Sequence, residues 1–305
     1  MFPLSCGELH VDPSVAESST SRLSIILPAR NEAPVLADLL PRIRALYPQA
    51  ELIVVDDGST DSTADAATAA GARTIRHPRS LGNGAAVKTG ARAATGSRLV
   101  FLDADGQHPP EEIPRLLESL DQGYAMAVGA RGPGSQQNGL RAGANLVYNW
   151  LASWMVGQRV RDLTSGFRAV HAETFRRFLY LLPNGFSYPT TITMAFFRAG
   201  YPVDYVPFHA PSRQANRSHL RPFRDGAKFF LIIFRIGVLY SPLKLFLPVS
   251  AVLFLLGCAR YTETYLTSGI LTNMSVLLWI TAVITFLIGL VSEQITALLY
   301  RDSDA

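Results

Sequence analysis

Residues Arg98 to Glu112, with the sequence RLVFLDADGQHPPEE, hold the pattern most suggestive of chemistry in this chain. A predicted apolar strand is followed by Asp103 and Asp105, which are separated by one residue, and then by Gln107. Alternate residues at a strand end project to similar sides, so three oxygen ligands could converge on one point. Mg²⁺ and Mn²⁺ prefer such oxygens and usually share their remaining positions with substrate phosphates. The alternative is a strand-ending turn with solvated acids, and the neighbouring segments favour the metal site.

The elements that must position these acids form an alternating series. Strands are predicted at Ser24–Leu27, Glu51–Val55, Arg98–Leu102 and Met126–Ala130, and helices at Leu36–Leu46, Ser62–Ala70, Ala85–Ala94 and Pro110–Leu120. Later helices are predicted at Asn145–Val156 and Pro189–Ala199, and a later strand at Val203–Phe208. This order predicts an α/β fold with a mostly parallel sheet, right-handed crossovers and helices on both faces.

Polar segments follow three of the predicted strands. They are PARNE (Pro28–Glu32), DDGSTDST (Asp56–Thr63) and DADGQ (Asp103–Gln107). Ligands of parallel sheets bind beyond the carboxyl ends of the strands, so we expect these segments to form one site. The acids Asp56 and Asp57 could recognise a base or a ribose, whereas the rest of DDGSTDST fits turn and cap chemistry with Asp61 as the N-cap.

Two further motifs are less specific. LGNGAAVKTG (Leu81–Gly90) resembles a dinucleotide-binding glycine loop, but it lacks the third glycine and is no Walker A loop. We therefore expect Gly82 and Gly84 to shape a loop and a helix start. DLTSGFRA (Asp162–Ala169) combines an acid, two hydroxyls, a glycine and a cation, and it fits either a capped turn or part of the site.

Several arginines are candidates for phosphate binding, because guanidinium is the preferred bidentate partner of phosphate. They are Arg131, Arg141, Arg168, Arg213 and Arg217. For each one alone, a solvated surface position is the alternative. His77 and His108 have no partners at metal-ligand spacing, so both are interpreted as structural.

The apolar residues concentrate after Phe229. Ser275–Ser292 carries no charge and nearly matches the roughly 20 residues needed to span a bilayer. Leu245–Ala259 is shorter, but Lys244 and Arg260 could lengthen it by snorkelling. Two membrane spans are therefore predicted, with two buried core helices as the alternative.

Basic residues predict the orientation of these spans. Arg221, Arg224, Lys228, Arg235 and Lys244 precede the first span and Arg301 follows the second, whereas the loop between them has only Arg260. By the positive-inside rule, both ends face the cytoplasm. Between Phe223 and Tyr240, apolar residues interleave with cations, which predicts amphipathic helices in the membrane surface.

The membrane accounts for the net charge of +4, so nucleic-acid binding is not required. No zinc-finger or RNA-binding signature accompanies the basic residues. Cys6 and Cys258 imply no disulfide framework, and the N-terminus shows no signal-peptide pattern. The predicted organisation is a disordered tail (1–20), a cytoplasmic catalytic domain (21–220), juxtamembrane helices (221–242), and two membrane helices with a short tail (243–305).

PARNE, DDGSTDST, DADGQHPPE, GAR (Gly129–Arg131), DLTSGFRA and the R-x-x-x-x-S element Arg213–Ser218 together resemble family 2 glycosyltransferases of the polyprenyl-phosphate type. The pattern is similar to dolichyl-phosphate mannosyltransferase and to bacterial undecaprenyl-phosphate glycosyltransferases. The resemblance covers Leu23 to about Tyr240, and the paired C-terminal spans match a common subgroup. It implies a GT-A-like nucleotide-sugar-binding sheet.

The resemblance also implies roles for individual residues. Asp103, Asp105 and Gln107 would hold Mg²⁺ or Mn²⁺ at the donor diphosphate. The nucleotide would be lined by Pro28, Ala29, Asn31, Glu32, Asp56 and Asp57, with Asp103 and Ser218 at the donor. Arg131 and Arg141 would face the acceptor phosphate, beside Asn145 where relatives often have serine, and Arg213 would reach the donor phosphates. Asn216 and His219 depart from the usual R-x-x-G-x-S-K pattern, and neutral histidine would weaken phosphate binding.

The implied reaction is inverting transfer of a hexose from GDP-mannose or UDP-glucose to undecaprenyl or dolichyl phosphate. Asp105, Arg131, Arg141 and Arg213 are the predicted catalytic residues. The implied setting is a multi-pass protein of the bacterial cytoplasmic membrane, in contact with membrane lipids and possible as a homo-oligomer. The alternatives are a processive polysaccharide synthase, whose Q-x-x-R-W element is missing from the sequence, and a non-catalytic membrane partner that binds lipid phosphate.

Overall fold

The structure is a computed structural model that describes residues 22–131, 149–185, 188–208, 234, 237–238 and 240–301. Its strands are β1 (Leu23–Ala29), β2 (Glu51–Asp56), β3 (Arg73–Arg76), β4 (Arg98–Phe101), β5 (Met126–Arg131), β6 (Arg168–His171) and β7 (Val203–Phe208). Its helices are α1 (Ala33–Leu46), α2 (Thr63–Ala69), α3 (Asn83–Ala93), α4 (Ile113–Asp121), α5 (149–156), α6 (Ala172–Arg177), α7 (Tyr188–Arg198), α8 (Pro242–Ser268) and α9 (Asn273–Arg301). A 3₁₀ turn at Pro110–Glu112 precedes α4.

The strands form one sheet in the order β3-β2-β1-β4-β6-β5-β7. Every neighbouring pair is parallel except β4–β6 and β6–β5, which are antiparallel. The predicted mostly parallel sheet is therefore confirmed. The sequence patterns missed β3 and β6, because both are four residues long and carry charged side chains instead of an apolar run.

Helices cover both faces of the sheet, as predicted. On one face α3, α6 and α7 pack on Ile26, Val55 and Phe101, and on the other α1 and α4 pack on Ile25, Val54 and Val100. All six strand side chains are fully buried. Burial on both faces explains why these strands read as continuous apolar runs.

Strand β1 extends past its neighbour β4. The β1–β4 pairing ends at Ile26 opposite Phe101, and the Ile26 carbonyl accepts the Leu102 N–H at 3.1 Å. Pro28 lies two residues further on, so its nitrogen faces the same side and has no N–H to leave unpaired. The ladder between β1 and β4 therefore ends before the last residues of β1, at the carboxyl edge of the sheet.

The structure corrects the sequence-based interpretation of Arg168 as a phosphate-binding or solvated cation. It lies in β6 and is 0 % exposed. Its guanidinium donates to the carbonyls of Ser165 (2.5 Å) and Pro189 (3.2 Å) and to Thr193 Oγ1 (3.3 Å), and it lies 5.7 Å from the centre of the Tyr188 ring. Arg168 therefore ties β6 to α7 inside the protein.

The glycine loop begins α3, as predicted. Gly82 has φ of 103°, a backbone conformation that favours glycine. The N–H groups of Gly84 and Ala85 donate to the carbonyls of Gly185 (3.2 Å) and Asn184 (2.9 Å). The start of α3 is thus fixed against the segment before α7.

Helices α8 and α9 are long and apolar enough to cross a membrane, and they exceed the predicted spans at both ends. Only 17 % of the most apolar window of each helix is buried, whereas the core helix of a soluble protein is mostly buried. They pack on each other: Ser250 Oγ donates to the Ala282 carbonyl at 2.8 Å, and Gly257 lies against Trp279. The predicted tail 1–20 lies outside the described residues, as does most of the juxtamembrane segment 221–242.

Replacing Gly84 with alanine should lower the free energy of unfolding by about 1–3 kcal/mol, because its Cβ would lie 2.0 Å from the rigid Pro183 carbonyl oxygen. Urea unfolding of the full chain in detergent micelles, followed by tryptophan fluorescence, measures this change. Gly185→Ala is the matched control, since a Cβ there has no neighbour within 4 Å. Equal stability of the two variants would contradict the close packing.

Candidate active site

The carboxyl edge of the sheet collects the predicted polar segments. Strands β1, β2, β4 and β5 run in one direction, so the residues after each of them meet at this edge. Strand β6 runs the opposite way, and therefore the DLTSGF segment that precedes it arrives at the same edge. The antiparallel strand is the reason that DLTSGFRA belongs to the site.

The loops after β1 and β2 are tied together by hydrogen bonds. The Asn31 N–H donates to Ser59 Oγ (2.9 Å), and Asn31 Oδ1 accepts the Thr60 N–H (2.9 Å). The Glu32 N–H donates to Thr63 Oγ1 (3.0 Å). Asn31 has φ of 55°, a conformation that asparagine tolerates better than most residues. The structure therefore brings Asn31 and Glu32 beside DDGSTDST, as expected for one site.

The prediction for Asp61 needs a correction. Helix α2 begins at Thr63, and Ser62 rather than Asp61 occupies the N-cap position. Asp61 accepts hydrogen bonds from the Thr63 N–H (3.1 Å) and from the Ala33 N–H (3.3 Å) at the start of α1. Its carboxylate thus links the first turns of α1 and α2.

Asp56 is completely buried at the end of β2, beside Pro28 and Ala29 of β1. Its Oδ1 accepts the Ser59 N–H at 2.8 Å. Its Oδ2 lies 3.3 Å from Arg76 Nε, but it accepts no hydrogen bond from the part of the chain that the structure describes. A buried carboxylate oxygen of this kind is an open acceptor for a ligand N–H or O–H.

Asp57 is held from four directions. Its carboxylate oxygens accept hydrogen bonds from Ser80 Oγ (2.8 Å) and from the N–H groups of Leu81 (2.8 Å) and Gly82 (2.9 Å), and Oδ1 lies 2.8 Å from His77 Nδ1. Burial raises the pKa of Asp57, but these hydrogen bonds outweigh burial and lower it overall. Asp57 thus fixes the loop before α3, and contact of its side chain with a nucleotide stays a prediction.

Asp103 and Asp105 follow β4, as predicted. Gly166 approaches Asp103 so closely that a Cβ there would lie 2.6 Å from Oδ2 and 2.7 Å from Oδ1. Asp105 Oδ1 accepts the Gln107 N–H at 3.1 Å, which closes a tight turn. The backbone of the DLTSGF segment therefore forms one wall of the Asp103 carboxylate site.

The buried side chain of His108 positions Asp103. The buried ring stacks on Phe167 with centroids 5.2 Å apart, and burial lowers the pKa of His108 to about 4. Its Nδ1 accepts the Asp103 N–H at 3.0 Å, so in the neutral ring Nε2 carries the proton, 3.8 Å from Asp103 Oδ2. The interpretation of His108 as structural missed this contact, since spacing alone does not show which strand end a histidine packs under.

The donor set fits a hard divalent cation. Within the described ranges no cluster of three His, Cys, Asp or Glu side chains could hold a metal alone. Asp103 and Asp105 carry the type of oxygen ligand that Mg²⁺ takes, and a metal site formed by these acids with Gln107 stays a prediction. A Cβ at position 166 would clash with the Asp103 carboxylate, so glycine there is what lets the carboxylate lie in this place.

Arg131 ends β5 at the same edge and is held by Asp162. Its Nε and Nη2 donate to the two Asp162 carboxylate oxygens at 2.9 and 3.2 Å, and Nη2 also donates to Thr164 Oγ1 at 2.6 Å. Asp162 further accepts the Thr164 and Ser165 N–H groups at 3.0 and 3.1 Å. This fork fixes the direction of the guanidinium, and Nη1 donates no hydrogen bond to the part of the chain that the structure describes.

Asp162 is the functional residue that sequence reasoning did not assign. DLTSGFRA was the signal for it, but only the antiparallel β6 shows that Asp162 meets Arg131. Other predicted site residues lie outside the described part of the chain. These are Arg141, Asn145, Arg213, Asn216, Arg217, Ser218 and His219.

Comparison with known proteins defines the family. Residues 24–181 match Glycosyl transferase family 2, and residues 241–298 match the GtrB C-terminal hairpin. The chain belongs to glycosyltransferase family 2, a family of enzymes. This result confirms the resemblance seen in the sequence motifs.

Three relatives illustrate the family. Glycosyltransferase AglJ from Haloferax volcanii is 31 % identical over 73 % of this chain and 74 % of its own length. The polyprenol monophosphomannose synthase from Mycolicibacterium smegmatis is 30 % identical over 68 % of this chain and 84 % of its own. The undecaprenyl-phosphate 4-deoxy-4-formamido-L-arabinose transferase from Klebsiella pneumoniae is 35 % identical over 48 % of each chain. This chain thus spans only about half the length of that relative.

Solved structures confirm the GT-A-like fold. Glucosyl-3-phosphoglycerate synthase from Mycobacterium tuberculosis, in complex with Mn²⁺, UDP-glucose and phosphoglyceric acid, superposes with a TM-score of 0.58 at 25 % identity, over 72 % of this chain and 79 % of that chain. Its complex with Mg²⁺ and UDP gives a TM-score of 0.57 at 24 % identity.

Replacing Gly166 with alanine should reduce sugar transfer by on the order of 10- to 100-fold, because the new methyl group displaces the Asp103 carboxylate. Initial rates over a range of Mn²⁺ concentrations measure the effect, and we expect the variant to need more metal. Gly185→Ala again serves as the control. Wild-type rates and metal response in Gly166→Ala would show that Asp103 does not act from this position.

Replacing Asp57 with asparagine should lower the free energy of unfolding at pH 7 by about 1–3 kcal/mol. The hydrogen-bond donors around residue 57 would then face a neutral amide instead of a carboxylate. The folded-state pKa of Asp57 is lowered, so its stabilisation is present above the unfolded pKa of about 3.9 and is lost as pH falls through the folded value. The stability difference between wild type and variant should therefore narrow below about pH 4. Urea unfolding at pH 7 and pH 3 tests this, and an equal difference at both would contradict it.

Proposed function

We propose that this enzyme transfers a hexose from a nucleotide sugar, GDP-mannose or UDP-glucose, to a polyprenyl phosphate with inversion at the anomeric carbon. The observation that carries the proposal is the meeting of Asp103 and Asp105 with a fixed arginine, Arg131, at one edge of a domain joined to an apolar hairpin. Relatives named for undecaprenyl-phosphate and polyprenol substrates support the same acceptor class.

The donor nucleotide would bind beside the end of β1, next to Pro28 and Ala29. Oδ2 of Asp56, which accepts no hydrogen bond within the described residues, would accept one from the base. Asn31 and Glu32 are fixed there by their hydrogen bonds to the β2 loop. A preformed acceptor in a buried position favours a ligand that offers a matching donor.

The diphosphate would lie at Asp103, Asp105 and Gln107, which would hold Mg²⁺ or Mn²⁺. The bound cation would neutralise charge that develops on the departing nucleoside diphosphate. Asp103 is kept in place by His108 and by the Gly166 wall, so little reorganisation is needed during transfer. Structures of a fold neighbour with Mn²⁺ or Mg²⁺ support this assignment.

The acceptor phosphate would bind Nη1 of Arg131, with Arg141 beside it and Arg213 and Ser218 at the donor phosphates. Pairing with Asp162 neutralises part of the Arg131 charge and fixes the direction in which the Arg131 N–H groups point. The attacking phosphate oxygen is already ionised at pH 7, since its second pKa is about 6, so a strong general base is unnecessary. The protein chiefly aligns two anions that would otherwise repel.

The apolar hairpin would place this reaction at a membrane surface. We infer that α8 and α9 cross the bacterial cytoplasmic membrane and that both ends, with the catalytic domain, face the cytoplasm by the positive-inside rule. Membrane anchoring confines the enzyme to the surface that holds a polyprenyl phosphate.

The donor is tested by incubating membranes that contain the protein with radiolabelled UDP-glucose, GDP-mannose and UDP-GlcNAc separately. We expect label in extractable lipid from GDP-mannose or UDP-glucose. Label in polymer would instead identify a processive synthase. If the purified protein catalysed neither transfer nor donor hydrolysis, that result would indicate a non-catalytic lipid-phosphate binder.

Replacing Asp105 with asparagine should lower transfer by at least about 100-fold, because one carboxylate ligand and its charge are lost. Folding and membrane insertion should be unchanged. Asp65→Asn is the matched control, an exposed acid on α2 in the same domain. Undiminished transfer by Asp105→Asn would rule out the metal role.

A further inference from the structure

Helix α5 exposes two large aromatic side chains on one face. Trp150 is 67 % exposed and Trp154 is 43 % exposed. They lie four residues apart, so they project from the same side of the helix. Ala152 and Met155 on the other side are buried in the core. Two exposed tryptophans on a well-packed helix require a partner, because so much apolar surface in water is unfavourable.

The end of α5 is bonded to the start of the first apolar helix. Lys244 Nζ, in the first turn of α8, donates to the Met155 carbonyl at 2.7 Å. A second link lies beside it: Arg198, at the end of α7, forms an ion pair with Glu293 of α9 at 3.0 Å. The Lys244 contact places the end of α5 level with the start of α8, and the Arg198–Glu293 ion pair joins α7 to α9.

The chain after α5 adds positive charge at the same place. It returns along the helix, where the Val160 N–H donates to Ser153 Oγ at 2.9 Å and Asn149 Nδ2 donates to the Arg161 carbonyl at 2.7 Å. Arg159 and Arg161 are exposed in this returning segment. Exposed tryptophans with nearby arginines match the head-group region of an anionic bilayer.

We propose that Trp150 and Trp154 insert into the head-group region of the leaflet that α8 enters, so that α5 contacts the membrane in addition to α8, α9 and the predicted juxtamembrane helices. This inference rests on the proposed membrane insertion of α8 and α9. The occupant of the exposed face is lipid, because the face is continuous with the start of α8 and carries basic neighbours. Tryptophan is favoured at this depth because its ring is apolar and its N–H remains wet.

The contact bears on the candidate active site through Asn149. Its side-chain amide bonds both neighbours of Asp162, donating to the Arg161 carbonyl and accepting the Leu163 N–H at 3.2 Å. Asp162 in turn holds Arg131. Seating α5 in the head groups therefore sets the height of Arg131 above the lipid surface, where an acceptor phosphate must reach it.

The test uses the three tryptophans of the chain, Trp150, Trp154 and Trp279. Full-length variants that retain one tryptophan each, with phenylalanine at the other two positions, are reconstituted in vesicles of phosphatidylcholine and phosphatidylglycerol containing brominated phospholipid. A far-UV circular dichroism spectrum and a urea unfolding midpoint that match those of the unsubstituted protein show that each variant is folded. The matched control carries Leu46→Trp with all three native tryptophans replaced, because Leu46 is 45 % exposed on α1, on the opposite face of the sheet.

We expect bromine near the head groups to quench Trp150 and Trp154 strongly, with blue-shifted emission, and to leave the Leu46→Trp control unquenched. Trp279 on α9 reports the hairpin separately. Quenched Trp279 with unquenched Trp150 and Trp154 would overturn this inference and leave the hairpin proposal intact, and blue-shifted but unquenched emission would assign the face to protein instead. Unquenched Trp279 would overturn the membrane insertion itself.

Discussion

The reversed direction of β6 is the constraint on which the site depends. By running antiparallel between β4 and β5, this strand delivers the segment before it to the edge where the parallel strands end. Gly166 can then lie against Asp103 while Asp162 grips Arg131. A parallel strand at this place would carry the same residues to the far edge of the sheet. The acid pair and the fixed cation meet because one strand breaks the direction of its neighbours.

Negative and positive side chains lie close together at this edge of the sheet. Asp103 and Asp105 repel anions, whereas Arg131 attracts them, and Asp162 limits that attraction. Arg168 adds a fully buried cation behind the same segment, solvated by carbonyl and hydroxyl oxygens instead of a carboxylate within the described chain. Buried charges of this kind are costly unless their polar groups are satisfied. Under the proposed function, this arrangement selects ligands that bring both a cation for the acids and anionic oxygens for the arginine.

Much of this architecture could be predicted from the sequence, for reasons that individual elements make clear. Strands β1, β2, β4 and β5 are buried on both faces, so their sequences are apolar runs. Helices α8 and α9 can be predicted from the length of their apolar segments. Strand β6 could not be found in this way, since its buried Arg168 looks like a surface residue. The roles of His108 and Asp162 depend on contacts across 5 and 31 residues, which local patterns do not contain.

Pro28 affects more than the end of the ladder between β1 and β4. The exposed side of a strand end normally offers N–H and C=O groups that another chain can pair with, which makes such edges starting points for aggregation. At Pro28 the donor is absent on the side that β4 has left. A peptide that extended the sheet at this strand end would therefore lose one backbone hydrogen bond at Pro28, which disfavours a regular ladder there.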